Sequence, residues 1–350
     1  MHDPSADREL VLSLRRSIVT AVAPLLEGVR HCALVGFPNH NNSGDNAIWL
    51  GELRLLDHLQ VAVAYWCDDA SYHPRDLAEA LPDGPILFHG GGNYGDLWPQ
   101  QQAFRERVMQ DFPDRPVVQM PQTVSFSDPL SIETHRRLLE DRDAPISILC
   151  RDVASARFVE QQLGTDPILC PDSALFLDLA PPLAPAVDVV VNNRADHESV
   201  GEDRLELPGL SVEWQDWLLR PGERNMRRSL SVRCRTASRA LAARSHGESV
   251  LGRGLRRLPM AGSQLFAARR VDQACRLLSR GTVVITDRLH GHILCVLMGI
   301  PHVIRDTQYR KVANFHETFT IQSRTTFVVA RPDDVVPLVH RLVVEFSDGR

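Results

Sequence analysis

The sequence predicts an α/β protein of parallel, doubly wound sheets, divided into two halves. Three observations lead there. Short apolar, β-branched runs alternate with segments of helical periodicity from His31 to Cys170 and again from Val187 onward, the order that builds parallel sheets. Clusters of Gly, Asn, Asp, Arg and His recur where the strand-like runs end, as at Asn39 to Asp45 and Asp287 to His292, and loops at the carboxyl ends of parallel strands are where such sheets bind ligands. The 350 residues exceed one typical core, and a Pro-rich break from Leu179 to Pro185 suits a linker. Halves are expected at 1–180 and 186–350, the C-terminal helix being a candidate to pack back on the first.

The elements follow in order. Leu10 to Leu26 has helical spacing, and His31 to Phe37 reads as a strand. Ala47 to Leu59 is helical, with Ile48, Leu50, Leu53, Leu55, Leu56 and Leu59 at the apolar positions. Val61 to Trp66 and Ile86 to His89 are strands, the latter running into Gly90-Gly91-Gly92-Asn93. Gln100 to Gln110 is a helix, and Val117 to Met120 a strand that stops at Pro121-Gln122-Thr123. The strand Ile146 to Cys150 ends at Arg151-Asp152, the helix Val153 to Leu163 follows, and Ile168 to Cys170 ends at Pro171-Asp172. In the second half, Val187 to Val191 is a strand. The helix Val271 to Leu278 precedes the strand Val283 to Thr286, the turn Asp287 to His292 and a helix that stops at Gly299-Ile300-Pro301. Ile304 ends a strand, and Val335 to Phe346 is the last helix.

Composition excludes several functions. A net charge of −5 does not imply non-specific nucleic-acid binding. The seven cysteines include no C-x-x-C pair and several lie in apolar runs, so they read as buried reduced thiols rather than disulfides or zinc ligands. Met1 to Arg16 has no apolar signal core, and no stretch is long enough to span a bilayer. A cytoplasmic location is expected, at most at the inner face of the membrane. Lys311 is the only lysine against 38 arginines, a bias read mainly as compositional. Between Arg220 and Arg280 there are 15 Arg against three acidic residues, read as a solvated face or as a contact for an anionic acceptor or lipid headgroups. Trp214 and Trp217 beside it are either core or sugar-stacking residues.

The turn Asp287-Arg288-Leu289-His290-Gly291-His292 joins a strand to a helix. Guanidinium, imidazolium and the backbone N–H groups of a helix start all favour a small dianion there. The glycine run lets backbone approach a ligand closely, but it lacks the spacing of a dinucleotide fingerprint or a P-loop lysine, and both are rejected.

Together these pieces resemble the polysaccharide pyruvyl transferase family. The resemblance rests on Asn42-Ser43-Gly44-Asp45, Phe88 to Trp98, Pro121-Gln122-Thr123, Arg151-Asp152, Pro171-Asp172-Ser173, Arg194 with Asp196 and Glu198, and Thr286 to Gly291, in this order. It implies two Rossmann-like domains facing a cleft, as in GT-B glycosyltransferases. It also implies transfer of the pyruvyl group of phosphoenolpyruvate to two sugar hydroxyls, forming a cyclic ketal and releasing phosphate. The positions matching the family's anion site are Arg151, Arg288 and His290; the arginines are assigned to the donor's carboxylate and phosphate, and His290 to phosphate contact or general acid. Asp45 and Asp96 are candidates to orient or deprotonate acceptor hydroxyls, with helix capping as the competing role. His89, Gly91, Gly92, Asn93, Gln122 and Arg194 are assigned to substrate binding. Arg151 paired with Asp152 or Asp172, and a local ion network at Arg194, Asp196 and Glu198, are the structural alternatives; His292 is expected behind the site.

Expected partners are therefore phosphoenolpyruvate and a saccharide or lipid-linked oligosaccharide, with peripheral membrane contact as a further expectation. No His, Asp or Glu set has the spacing of a dedicated metal site, so no cofactor is expected, with a loosely held divalent ion left open. The competing readings are a GT-B glycosyltransferase using a nucleotide sugar and a non-catalytic glycan-binding protein.

Overall fold

A computed structural model of the chain describes residues 7–193, 205–215, 217, 250–305, 310–329 and 332–347. Two sheets are present, and every strand pair in both is parallel. The first holds β1 (His31–Val35), β2 (Ala62–Cys67), β3 (Ile86–Phe88), β4 (Gly91–Tyr94), β5 (Val117–Val124), β6 (Ile146–Cys150) and β7 (Pro167–Leu169). Its order is β2-β1-β3-β5-β6-β7, with β4 beside β5. The second holds β8 (Val187–Asn192), β9 (Val212–Trp214), β10 (Gly281–Thr286), β11 (His302–Ile304) and β12 (Thr326–Val328), in the order β12-β11-β10-β8-β9.

The strands are apolar on both faces because helices cover both. In β1, Cys32 and Leu34 point into one hydrophobic cluster while Ala33 and Val35 point into another, the period-two alternation of a strand. In β10, Val284 faces the first of these clusters, and Val283 and Ile285 face a third. The first cluster is shared by the two sheets. It is filled by Leu14 and Ile18 of the helix Arg8–Val22, Ile48 and Leu55 of Ser43–His58, Ala267 and Val271 of Val250–Leu278, and Ile293 and Leu294 of Leu289–Met298. Each such aliphatic side chain contributes about 1.5–3 kcal/mol of burial, so this layer holds the sheets in a fixed relation.

Both sheets change winding direction at one place. The chain leaves β1 for β2 on one side and returns to β3 on the other; it leaves β8 for β9 and returns to β10 likewise. Loops at such switch points diverge and leave a crevice. They are the loops after Val35, Phe88, Asn192 and Thr286.

Three sequence expectations are corrected. The C-terminal helix Val335–Ser347 packs on the second sheet, with Val335, Val339, Leu342 and Val343 against Val189, Val191, Val283 and Ile285, not back on the first half. The N-terminal segment makes that crossing instead: the buried Asp7 carboxylate accepts from Arg324 N at 2.8 Å and Ser323 Oγ at 2.8 Å beside β12. The glycine run forms β4, and β5 does not stop at Met120 but continues through Pro121 to Val124. A register shift between Gln119 and Gln122 absorbs the proline, which has no N–H for the ladder. The helix after β1 starts at Ser43, four residues earlier than expected, because Asn42 caps it: its Oδ1 accepts from Gly44 N at 3.1 Å.

Candidate functional site

The early start of the helix Ser43–His58 places Asp45, Ile48 and Glu52 at i, i+3 and i+7 on one face. That face meets the end of β3. Glu52 is fully buried, and both its oxygens are used: Oε1 accepts from Gly90 N at 2.7 Å and Oε2 pairs with His89 Nδ1 at 2.8 Å. His89 Nε2 is buried and finds no hydrogen-bond partner among the described residues. Burial pushes the His89 imidazolium down, but Glu52 outweighs it, with Asp45 and Asp172 adding, so its proton affinity is raised above the ordinary value. Glu52 escaped the sequence reading because it sits in a leucine-rich helical run. Its spacing from Asp45 was the available signal.

Asp45 is braced by Asn42, whose Nδ2 donates to its Oδ2 at 2.8 Å, and by His40 at 3.5 Å. Burial pushes its carboxyl up; His40, His290, His89 and Arg151 together outweigh that and lower it. Asp45 is therefore an ionised carboxylate with His89, His290 and Arg151 close by.

Arg151 ends β6 and is buried. Its Nε donates to Thr123 Oγ1 at 2.9 Å and its Nη1 to Asp172 Oδ2 at 2.6 Å. Thr123 in turn donates to Asp152 Oδ2 at 3.0 Å. Of the two acidic partners considered from sequence, Asp172 takes the ion pair and Asp152 caps the following helix through Ser155 N. Asp172 also stands 3.5 Å from His290 Nε2, and its Oδ1 accepts from Ala174 N at 2.9 Å. Burial raises the Asp172 carboxyl, but His290 and Arg151 reverse this and hold it well below the usual carboxylate range. Deleting Arg151 from its 2.6 Å pair with Asp172 would cost about 3–5 kcal/mol, the typical figure for a broken buried ion pair.

The second sheet contributes the turn after β10. Thr286 Oγ1 donates to Asn192 O at 3.1 Å and accepts from Arg288 N at 3.1 Å, so the turn is tied to the end of β8. The helix begins at Leu289, which puts His290 in its first turn and Arg288 at its N-cap. Arg288 lies over Trp217, guanidinium carbon to ring centroid 5.4 Å, and Trp217 is a buried core residue. His290 rests on Gly44: a Cβ there would come 2.4 Å from His290 Nδ1.

Gly91, Gly92, Asn93 and Gln122 lie between these parts. Gly91 has φ +124°, a conformation that requires glycine. A Cβ on Gly92 would stand 2.9 Å from Arg151 Nη2. Gln122 Nε2 donates to His89 O at 3.1 Å and to Asn93 Oδ1 at 2.9 Å, and its Oε1 accepts from Asn93 N at 3.2 Å. Gln122 and Asn93 thus lock the strand ends rather than face outward.

The structure therefore brings Asp45, His89, Arg151 and His290 together. Asp96 stands apart from them: its carboxylate accepts from Ser127 N and Asp128 N, both at 2.7 Å, bracing a loop. His292 is buried behind the site, as expected. Arg194, Asp196, Glu198 and most of the arginine-rich stretch lie outside the described residues. Among the described residues no cluster of His, Cys, Asp or Glu is arranged to hold a metal ion, and no helix is long and apolar enough to cross a membrane. The described cysteines are all free thiols.

The geometry suits a small anion at the two switch points, held by arginine and histidine, with an ionised carboxylate and a carboxylate-paired histidine beside it. Comparison with known proteins agrees in kind. Residues 42–309 match the sequence profile described as polysaccharide pyruvyl transferase. Pyruvyl transferase 1 of Schizosaccharomyces pombe is 32% identical over 337 residues, covering 90% of this chain and 76% of the relative. The putative pyruvyl transferase EpsO of Bacillus subtilis is 28% identical over 288 residues, 81% of this chain and 83% of the relative. An uncharacterized Klebsiella pneumoniae protein of solved structure shares the fold, with TM-score 0.56 and 15% identity over 91% of this chain and 99% of that one.

Proposed function

The chain belongs to the polysaccharide pyruvyl transferase family, and from that premise we propose that it transfers the pyruvyl group of phosphoenolpyruvate to two hydroxyls of a saccharide. The observation that carries this is the convergence of Arg151 and His290 on Asp172, with Asp45 near both and Arg288 in the same turn as His290. Phosphoenolpyruvate presents a carboxylate and a phosphate, and two guanidinium forks with an imidazole are a matched set of donors.

In this reading a proton is added to C3 of the enol, making the methyl group, while C2 gains positive character. One sugar hydroxyl attacks C2 and loses its proton; phosphate leaves; the second hydroxyl closes the ketal and loses its proton. His290, an imidazole 3.5 Å from the Asp172 carboxylate, is the candidate acid near the phosphate. Asp45, ionised by its surroundings, and the His89–Glu52 pair are the candidates to receive the hydroxyl protons. The two sheets act as two Rossmann-like halves, the donor lying between their switch points. The acceptor belongs to a cell-surface or exopolysaccharide precursor, met in the cytoplasm or at the inner membrane face.

The test is a donor assay. Protein, phosphoenolpyruvate and a panel of saccharide acceptors should give acceptor-dependent phosphate. Arg288→Lys keeps the charge and loses the fork, so phosphoenolpyruvate affinity should fall ~100-fold with little change in melting temperature. Turnover of a nucleotide sugar with no phosphate from phosphoenolpyruvate would refute the reading in favour of a glycosyltransferase.

A further inference from the structure

Arg270 is a buried arginine, 3% exposed, on the helix Val250–Leu278 of the second half. It shares a face with Ala267 and Ala274, one turn before and one turn after, and both fill the apolar cluster between the sheets. A cation in such a layer is costly unless its donors are met. Here they reach main-chain carbonyls at two places that matter to the site. Nη2, which carries two hydrogens, donates to Asn41 O at 3.0 Å and to Trp217 O at 2.8 Å. Nη1 donates to Gln273 Oε1 at 2.7 Å, which holds the plane of the guanidinium.

The first carbonyl lies in the loop between β1 and the helix Ser43–His58. Three successive carbonyls of that loop are held. His40 O and Asn42 O accept from Asn46 Nδ2 at 3.0 and 2.7 Å, both bonds made within the first half. Asn41 O, between them, accepts from Arg270 of the second half. The side chains on either side of that peptide are the ones that brace Asp45: His40 at 3.5 Å and Asn42 at 2.8 Å. A shift of the Asn41 peptide therefore moves both braces together.

The second carbonyl is that of Trp217, whose ring carries the Arg288 guanidinium at 5.4 Å. One nitrogen thus ties the support of Asp45, in the first half, to the support of Arg288, in the second. Apolar packing between the halves is non-directional and sets only how close they lie. Two hydrogen bonds from one planar group also set their register.

We propose that Arg270 is a positioning residue, which aligns the carboxylate of Asp45 with the guanidinium of Arg288 by holding the Asn41 and Trp217 carbonyls on one nitrogen. This rests on the pyruvyl transfer reading above, in which the two side chains serve acceptor and donor.

Two variants of the full chain test it. Arg270→Met keeps length and burial and removes every donor, a replacement that buried charges often tolerate. Arg270→Lys keeps the charge but loses the fork. Hydrogen exchange, read peptide by peptide with no substrate present, should quicken at least about tenfold over residues 40–46 in Arg270→Met and stay native over Val117–Val124. In transfer from phosphoenolpyruvate, kcat should fall about a hundredfold in Arg270→Met and about tenfold in Arg270→Lys, with acceptor KM within about twofold, as for misaligned rather than missing groups. Asn42→Ala removes one brace through which Arg270 acts, so adding Arg270→Met to it should cost less than about tenfold more. Native exchange and kcat in Arg270→Met, or the whole loss repeated on top of Asn42→Ala, would overturn the positioning role and leave the donor reading intact. Protection lost throughout the molecule in both variants would make Arg270 a stabilising residue only. Quickened exchange at the loop, in a protein whose native form releases no phosphate from phosphoenolpyruvate, would keep the clamp and overturn the transfer it is said to serve.

Discussion

Two groups of histidines in this protein have opposite surroundings. At the site, His89 and His290 face carboxylates: Glu52 at 2.8 Å and Asp172 at 3.5 Å. Behind it, His292, His302 and His316 face one another. His292 Nδ1 meets His302 Nε2 at 2.7 Å, and both His292 Nε2 and His316 Nδ1 meet Thr320 Oγ1, at 2.8 and 3.0 Å. Burial opposes charge on His89, but Glu52 overrides it. Burial and mutual repulsion instead hold His292 and His302 neutral, His302 down to about 4. His290 and His292 are two residues apart on one helix, so spacing alone does not assign a role. The carboxylate opposite does.

The largest expected effect separates His290 from His292. His290→Asn should cost ~1,000-fold in pyruvyl transfer, the scale of a lost general acid, while the melting temperature stays within a few degrees, since the Asp172 carboxylate keeps Arg151 Nη1 and Ala174 N as partners. Steady-state kinetics beside a thermal melt measure both. Equal losses in both readouts would erase the contrast between the groups.

The next effect is on pH. His302 has an ordinary value of 6.5 and is depressed to about 4 in the fold. Above 6.5 folded and unfolded chains are both neutral there. As pH falls from 6.5 to 4 the unfolded chain takes up the proton and the folded one does not, so stability drops by up to about 3 kcal/mol. His292 acts in the same direction. His89 acts in the opposite one: its raised value makes its contribution complete below 6.5 and lost as pH rises through the folded value. Asp45 and Asp172 are lowered and lose their contributions only below the ordinary carboxylate value of 3.8, outside this window. The groups around His302 are Asp7, His292, His316, Thr326 and the Ile300 carbonyl. Denaturant unfolding from pH 7 to 4.5 should therefore show a steep loss in the native chain and a shallower one in His302→Asn. Parallel profiles would show that the buried group is not the acid-sensitive one.

The same contrast explains what was legible in the sequence. Alternating strands and helices marked both sheets, because a parallel sheet covered on two faces needs continuous apolar runs. The helices Pro74–Ala80 and Pro129–Glu140 escaped notice, although each opens with a proline at its first position and Asp128 caps the second by accepting from Leu130 N and Ser131 N. At the site, Arg151, Arg288, His290 and Asp45 were visible because charged residues at strand ends stand out. Glu52 was not, since a carboxylate within a leucine-rich helix ordinarily faces water and here is fully buried by its bonds to His89 and Gly90. Nor could pattern show that Asp96 braces Ser127 and Asp128 while Asp45 faces the histidines; that depends on where β4 and β5 end.

The smallest expected effect moves His290 without altering its chemistry. Gly44 lies in the first turn of the helix Ser43–His58 with an ordinary helical backbone, so Gly44→Ala should gain about 0.8–1 kcal/mol of helix propensity. Yet its new Cβ would fall 2.4 Å from His290 Nδ1 and 2.9 Å from His290 Cβ. The second contact is with the root of the side chain, so a rotation of the ring does not relieve it and the facing helix must shift. A displacement of that kind offsets the propensity gain, leaving the melting temperature nearly unchanged. It also draws His290 away from Asp172, and misplacing an acid by a fraction of an ångström is enough for ~10-fold in kcat, given the steep geometric demand of proton transfer. A Gly44→Ala protein with unchanged kcat would mean that the His290–Asp172 distance is not set for catalysis, and the site histidines would then differ from the buried ones in charge alone.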